Sequence, residues 1–147
     1  MSDTTTVPAG EIGMVDAALS GDAKALAVLR GVLGPSEEEW IERPNGERDR
    51  ILHHGSTGSS LRLRDGALIV ARLQVHDDGQ GAYPRPASIV EGISASTTRS
   101  EVRALLGTPR RESQFMDLYL YGEHYLRIDY VRGGVDSISM TIAGVEE

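Results

Sequence analysis

The chain has 147 residues, no cysteine, and a formal net charge of −7 from 15 basic and 22 acidic side chains. That length suggests one domain or two very small subdomains, and the absence of any thiol excludes disulfides, thiolate metal sites, thiol nucleophiles and a lipidated cysteine. The acidic balance disfavours nucleic acid, whose phosphates repel it, and suits a basic protein partner, for which complementary charge speeds the encounter.

Residues 1–9 are polar and expected to be disordered. The start has neither the basic region nor the apolar core of a signal peptide, and no apolar run is long enough to cross a bilayer. The expected location is the cytoplasm, with no membrane partner. From Glu11 to Leu33 the period is helical. Ile12, Val15, Ala18 and Leu19 share a face, and Ala25, Leu26, Leu29, Val32 and Leu33 continue it after a break at Ser20-Gly21-Asp22. Asp22 is the expected N-cap of the second segment, and Gly34-Pro35 stops it.

The period then changes to two. Glu37-Glu38-Glu39 reads as a solvated turn that could also meet basic residues of a partner. Glu39 to Glu42 reads as a short strand, Arg50 to His54 as a second, Ser60 to Arg64 as a third and Ala67 to Val75 as a fourth. Pro44-Asn45-Gly46 and Asp65-Gly66 mark the turns. His76 to Pro86 is a polar linker. Thr98-Arg99-Ser100-Glu101 fits a capping box, Val102, Leu105 and Leu106 form the stripe of its helix, and Gly107-Thr108-Pro109 ends it. Strands follow over Met116–Tyr121, His124–Val131 and Val135–Ile142. The fold class is therefore α+β, helices on an antiparallel meander, with a first unit over 10–76, a linker over 77–88, a second unit over 89–142 and a fraying tail over 143–147.

The two halves look alike. Leu29-Arg30-Gly31-Val32-Leu33-Gly34-Pro35 is similar to Val102-Arg103-Ala104-Leu105-Leu106-Gly107-Thr108-Pro109, and Leu61-Arg62-Leu63-Arg64-Asp65-Gly66 to Leu126-Arg127-Ile128 leading into Gly133. Two readings stay open: a repeat whose units join edge to edge or pack side by side, and chance similarity between two helix-then-hairpin units.

Ile89-Val90-Glu91-Gly92-Ile93-Ser94, the capping box at Thr98, and the helix closing on Leu105-Leu106-Gly107-Thr108-Pro109 carry a family likeness. Over residues 83–142 the chain resembles the helix-plus-meander module of the β-lactamase-inhibitor-protein-like superfamily, which includes small outer-membrane assembly lipoproteins. It is also similar to small bacterial immunity proteins. It lacks the lipobox cysteine of the lipoproteins and the disulfides of secreted inhibitors. The resemblance implies a protein-binding module without catalysis and assigns no active-site residue.

Motifs for chemistry are sparse. His53 and His54 are adjacent, so on a strand they point to opposite faces and do not chelate one ion together. His76-Asp77-Asp78 offers ligand atoms but sits in the linker, without metalloprotease or EF-hand spacing. Ser56-Thr57-Gly58-Ser59-Ser60 is turn-like, with no nucleophile elbow or phosphate loop. No cofactor is expected. Trp40 and Phe115, the large lone aromatics, are expected in the core.

If Leu118 and Leu120 point inward, Tyr119 and Tyr121 point outward. If Leu126 and Ile128 point inward, Tyr125, Arg127 and Asp129 point outward. Tyr and Arg are favoured at interfaces because they offer rigid area with polar tips. The expected function is a non-enzymatic immunity or inhibitor protein whose Tyr119, Tyr121, Tyr125, Arg127 and Asp129 occlude a partner, a toxin or an enzyme. The alternatives are a small-molecule or enzymatic pocket near His76–Asp78 and a structural subunit of an assembly.

Overall fold

The computed structural model describes residues 7–143. Among them are helices α1 (Ile12–Leu19), α2 (Ala23–Leu33) and α3 (Arg99–Leu106), and strands β1 (Glu37–Glu42), β2 (Arg48–His54), β3 (Ser59–Arg64), β4 (Ala67–Gln74), β5 (Arg111–Ser113), β6 (Met116–Tyr121), β7 (His124–Val131) and β8 (Gly134–Ile142). The strands form one antiparallel sheet in the order β1-β2-β3-β4-β8-β7-β6-β5. Two four-stranded meanders thus join through β4 and β8, and the α+β reading holds. None of the described helices is long and apolar enough to cross a membrane.

The helices start and stop where local chemistry says they should. The Asp22 carboxylate accepts from the Lys24 and Ala25 amides at 3.0 and 3.1 Å. Thr98 and Glu101 form the reciprocal capping box, at 2.9 and 3.2 Å. Both C-caps are glycines in a backbone conformation that side chains rarely adopt: Gly34 has φ 86° and ψ −163°, Gly107 φ 91° and ψ −164°. Each donates its amide to the carbonyl four residues back, Arg30 and Arg103.

All three helices lie on one face of the sheet. α1 crosses β4 and β8 at the sheet centre. The core beneath them is built from Ile12, Val15, Leu29 and Leu33 on the helices, and from Leu52, Leu61, Leu73, Leu126, Ile128, Ile138 and Met140 on the strands. Alternation along each strand puts these residues on the covered face.

The C-terminal ends of α2 and α3 are each pinned by side chains from the sheet or the turn next to it. His54 Nδ1 lies 2.8 Å from the Gly34 carbonyl, and the Thr57 hydroxyl donates to the Leu33 carbonyl at 2.9 Å. In the second half the Tyr119 hydroxyl donates to Gly107 at 3.0 Å and Tyr121 to Leu106 at 3.3 Å. The helix's last carbonyls, which have no partner within the helix, are thereby satisfied. The first turn of α3 is held by the buried Asp117, which accepts from Arg99 at 2.6 Å, Arg103 at 2.7 Å and the Tyr130 hydroxyl at 2.8 Å. The Arg99 guanidinium also stacks 5.0 Å over the Tyr130 ring.

Several expectations are corrected. Tyr119 and Tyr121 are each only 4% exposed and lie on the covered face. Leu118 and Leu120 therefore face the other way, because the helix carbonyls need hydroxyl donors that leucine lacks. Trp40 and Phe115 are 51% and 62% exposed rather than buried. Trp40 stands on the edge strand β1, where the Arg48 guanidinium sits 5.1 Å from its ring, and Phe115 sits in the β5–β6 turn. Leu105, at the end of α3, is likewise exposed. Glu37-Glu38-Glu39 is edge strand, not turn, paired with His53, Leu52 and Ile51. The short β5 was not anticipated. Residues 7–9 are engaged rather than disordered: the Ala9 carbonyl accepts from the Glu91 amide at 2.9 Å, and Val7 packs on the core. Residues 1–6 and 144–147 lie outside the described residues.

Two substitutions test this frame. A Cβ on Gly134 would overlap the Ala95 carbonyl, which accepts from the Val135 amide. Gly134→Ala is expected to cost about 2 kcal/mol in urea unfolding, the usual size of an overpacking penalty. Asp117→Ala leaves two guanidiniums and a phenol without their shared acceptor and is expected to cost about 3 kcal/mol, the low end for a broken buried pair because solvent reaches both arginines. Wild-type midpoints for both would contradict this packing.

Candidate functional site

The face away from the helices is open, and strand alternation decides what it carries. Ile51, Arg62, Val70, Thr141, Tyr125 and Leu120 form one row across the sheet. The next row is His53, Ser60, Arg72, Ser139, Arg127 and Leu118. Arg72 pairs with Ser139 at the junction of the two meanders, flanked by the pairs Val70–Thr141 and Gln74–Ser137. Matching the hairpin ends Arg64–Ala67 and Val131–Gly134 carries Val70 onto Ser137 and Gln74 onto Thr141, so these flanking pairs exchange about the Arg72–Ser139 centre. This match sets Ser60, not Arg62, against Arg127, two residues away from the alignment that the sequence similarity suggests.

A groove of about 460 Å³ lies over this centre. Arg62, Arg72, Arg127, Asp129 and Asp136 line it, Ser60, Ser137 and Ser139 form its polar floor, and Phe115 stands at its rim. Arg127 and Asp129 stand two apart on β7 and therefore on the same face. Their guanidinium and carboxylate meet at 2.9 to 3.1 Å. Gln74 donates to Asp136 at 2.9 Å. Arg72 is held more loosely, 3.8 Å from Asp136 and 3.4 Å from the Gly58 carbonyl. The Ser137 hydroxyl is buried with no hydrogen-bond partner among the described residues.

Beside the groove, Asp49 has no exposed side-chain surface although it is on the open face. Arg62 and Arg64 donate to it at 2.8 to 2.9 Å and Arg43 lies 3.1 Å away. The Arg64 hydrogen bond lowers its pKa most, burial opposes, and Arg62 lowers it further, so the carboxyl is held at about 2. Asp117 on the covered face also stands at about 2: burial pushes it up, and the hydrogen bonds from Arg103, Arg99 and Tyr130 outweigh that. Asp49 fixes the side chains of β3, which is how a row of long arginines is kept in one arrangement.

Of the residues singled out in the sequence, Tyr125, Arg127 and Asp129 share this face, and Tyr119 and Tyr121 do not. Arg62, Arg72 and the floor serines were missed. Their signal was present as alternation in β3 and β8, where Arg62 and Arg64, and Ser137 and Ser139, recur at every second position. His53 and His54 do lie on opposite faces, His53 against Glu39 at 2.7 Å and His54 against α2. The His76–Asp78 stretch is no part of the groove. Asp77 accepts from the Gly79 and Gly81 amides and Asp78 from the Gln80 amide, so both carboxylates cap their own turn. Among the described residues no three His, Asp or Glu side chains are grouped to hold a metal ion.

Asp49 and Asp117 make stability depend on pH. Their folded pKa of about 2 lies below the unfolded value of about 3.9. Each therefore stabilises the fold fully above the unfolded value and loses that contribution as pH falls through the folded one. The urea midpoint is expected to fall between about pH 4 and about pH 2, and less steeply in Asp49→Asn. Equal slopes in variant and wild type would contradict the role given to Asp49. No family model, curated protein or solved structure matches the chain.

Proposed function

We propose that this chain is a non-enzymatic protein-binding module that acts by laying the open face of its sheet over a partner, as an inhibitor or immunity protein would. The observation that carries this reading is the asymmetry of the sheet. One face is closed by three helices, and the other presents a pre-formed groove with Arg and a rim Phe, and Tyr125 in the neighbouring row, residue types favoured at interfaces. The resemblance of residues 83–142 to the β-lactamase-inhibitor-protein-like module supports it. The contact set is Tyr125, Arg127, Asp129 and Arg72, on strands whose partners and covered face hold them in place, with Phe115 in the β5–β6 turn beside them. A rigid face loses little entropy on binding, which favours occlusion over induced folding.

The test is capture from lysate of the source organism with the intact protein as bait, followed by affinity measurement on the retained protein. Tyr125→Ala and Phe115→Ala are each expected to weaken binding by about 2 kcal/mol if they are central anchors. Val28→Ala, exposed on α2, is expected to leave it unchanged. A partner lost with Val28→Ala and indifferent to Tyr125→Ala and Phe115→Ala would overturn the assignment of the face.

A further inference from the structure

We infer that the groove over Ser137 and Ser139 receives an acidic side chain, Asp or Glu, from a projecting segment of a partner protein. The inference rests on the open-face reading above and adds the chemistry of what enters.

The chain carries −7 overall, but its charges are segregated. The groove is lined by three guanidiniums, Arg62, Arg72 and Arg127, against two carboxylates, Asp129 and Asp136, which leaves it one positive charge in excess. The net charge of the chain points to a basic partner, whereas the lining of the groove points to an acidic one. Strands lie about 4.8 Å apart, so the backbones of Arg72 and Arg127, on either side of Ser139, are about 10 Å apart. Two arginine side chains can converge across that span on one carboxylate between them.

Arg72 is the guanidinium with capacity to spare, since its two contacts at 3.4 and 3.8 Å are long for charge-assisted hydrogen bonds. The Ser137 hydroxyl in the floor is an unused donor. A buried hydroxyl without a partner carries a desolvation cost that an incoming acceptor would remove. Asp129 and Asp136 set the limit on the ligand: they repel a run of phosphates but flank a single carboxylate, and can accept from the amides of the segment that carries it. Phe115, at the rim, offers an apolar contact to the neighbouring residue.

The test is an amide and arginine side-chain NMR titration of the full chain with three capped pentapeptides that differ only in the central residue, which is Glu, Gln or Lys. The acidic peptide is expected to move the Arg72 and Arg127 side-chain signals and the Ser137 and Ser139 amides. The other two are expected to leave them in place. Arg72→Gln, at a partly exposed position, is expected to weaken the acidic peptide about tenfold, with the rest of the spectrum unchanged as proof of folding. Binding of the Lys peptide at the same signals would overturn the acidic assignment and keep the open face as a binding surface. Shifts confined to other parts of the molecule, or none, would overturn the inference. Inorganic phosphate reproducing the shifts at equal concentration would also overturn it, by reducing the groove to a simple anion site.

Discussion

An antiparallel sheet of eight strands has two faces, and three helices of 8, 11 and 8 residues can cover only one. Everything else in this molecule follows from that shortage. The covered face takes the aliphatic residues and the two tyrosines whose hydroxyls reach helix carbonyls. The open face mixes charged and hydroxyl side chains with the half-buried Ile51, Val70, Leu118 and Leu120, and the short α3 leaves the β5–β6 turn and its Phe115 outside the core. An uncovered sheet face is sustainable when its charges are paired and its apolar residues are sheltered by long neighbouring side chains. Asp49 with its arginines and the Arg127–Asp129 pair are how this chain manages it.

The join between β4 and β8 gives the open face its centre. With both meanders ending in the strand that pairs at the middle, the remaining edges are β1 and β5. One is strongly acidic and the other has only three residues, and both features discourage uncontrolled edge pairing. The near-twofold relation extends to the helix ends, where His54 and Tyr119 both reach the capping glycine's carbonyl with different chemistry. The two halves share an architecture while their side chains diverge, and the groove falls where the halves meet.

Much of the fold was legible in the residues, and the reasons are local. Asp22, Thr98, Gly34 and Gly107 act through their own backbone neighbourhoods, so their roles can be read without knowing what packs on them. Alternation placed Tyr125, Arg127 and Asp129 together because Leu126 and Ile128 are unambiguously apolar. In β6 both alternating sets are apolar or aromatic, Leu118 and Leu120 against Tyr119 and Tyr121, and period alone does not say which set a helix end will need. Trp40 misled for a related reason: hydrophobicity is a property of the residue, but burial depends on how far the helices extend. Net charge says least about the open face, because a count over the chain averages away the arginines gathered there.

The central claim is that the open face is the working surface and the helical face is not. Oxidative footprinting of Phe115 and Tyr125, with and without the captured partner, tests it most directly. In the free protein both are expected to react readily while the buried Tyr119 and Tyr121 are slow. With the partner bound, Phe115 and Tyr125 should become protected and Val28 and Leu105 on the helices should not. Protection of Val28 and Leu105 with Phe115 and Tyr125 still reactive would contradict the account.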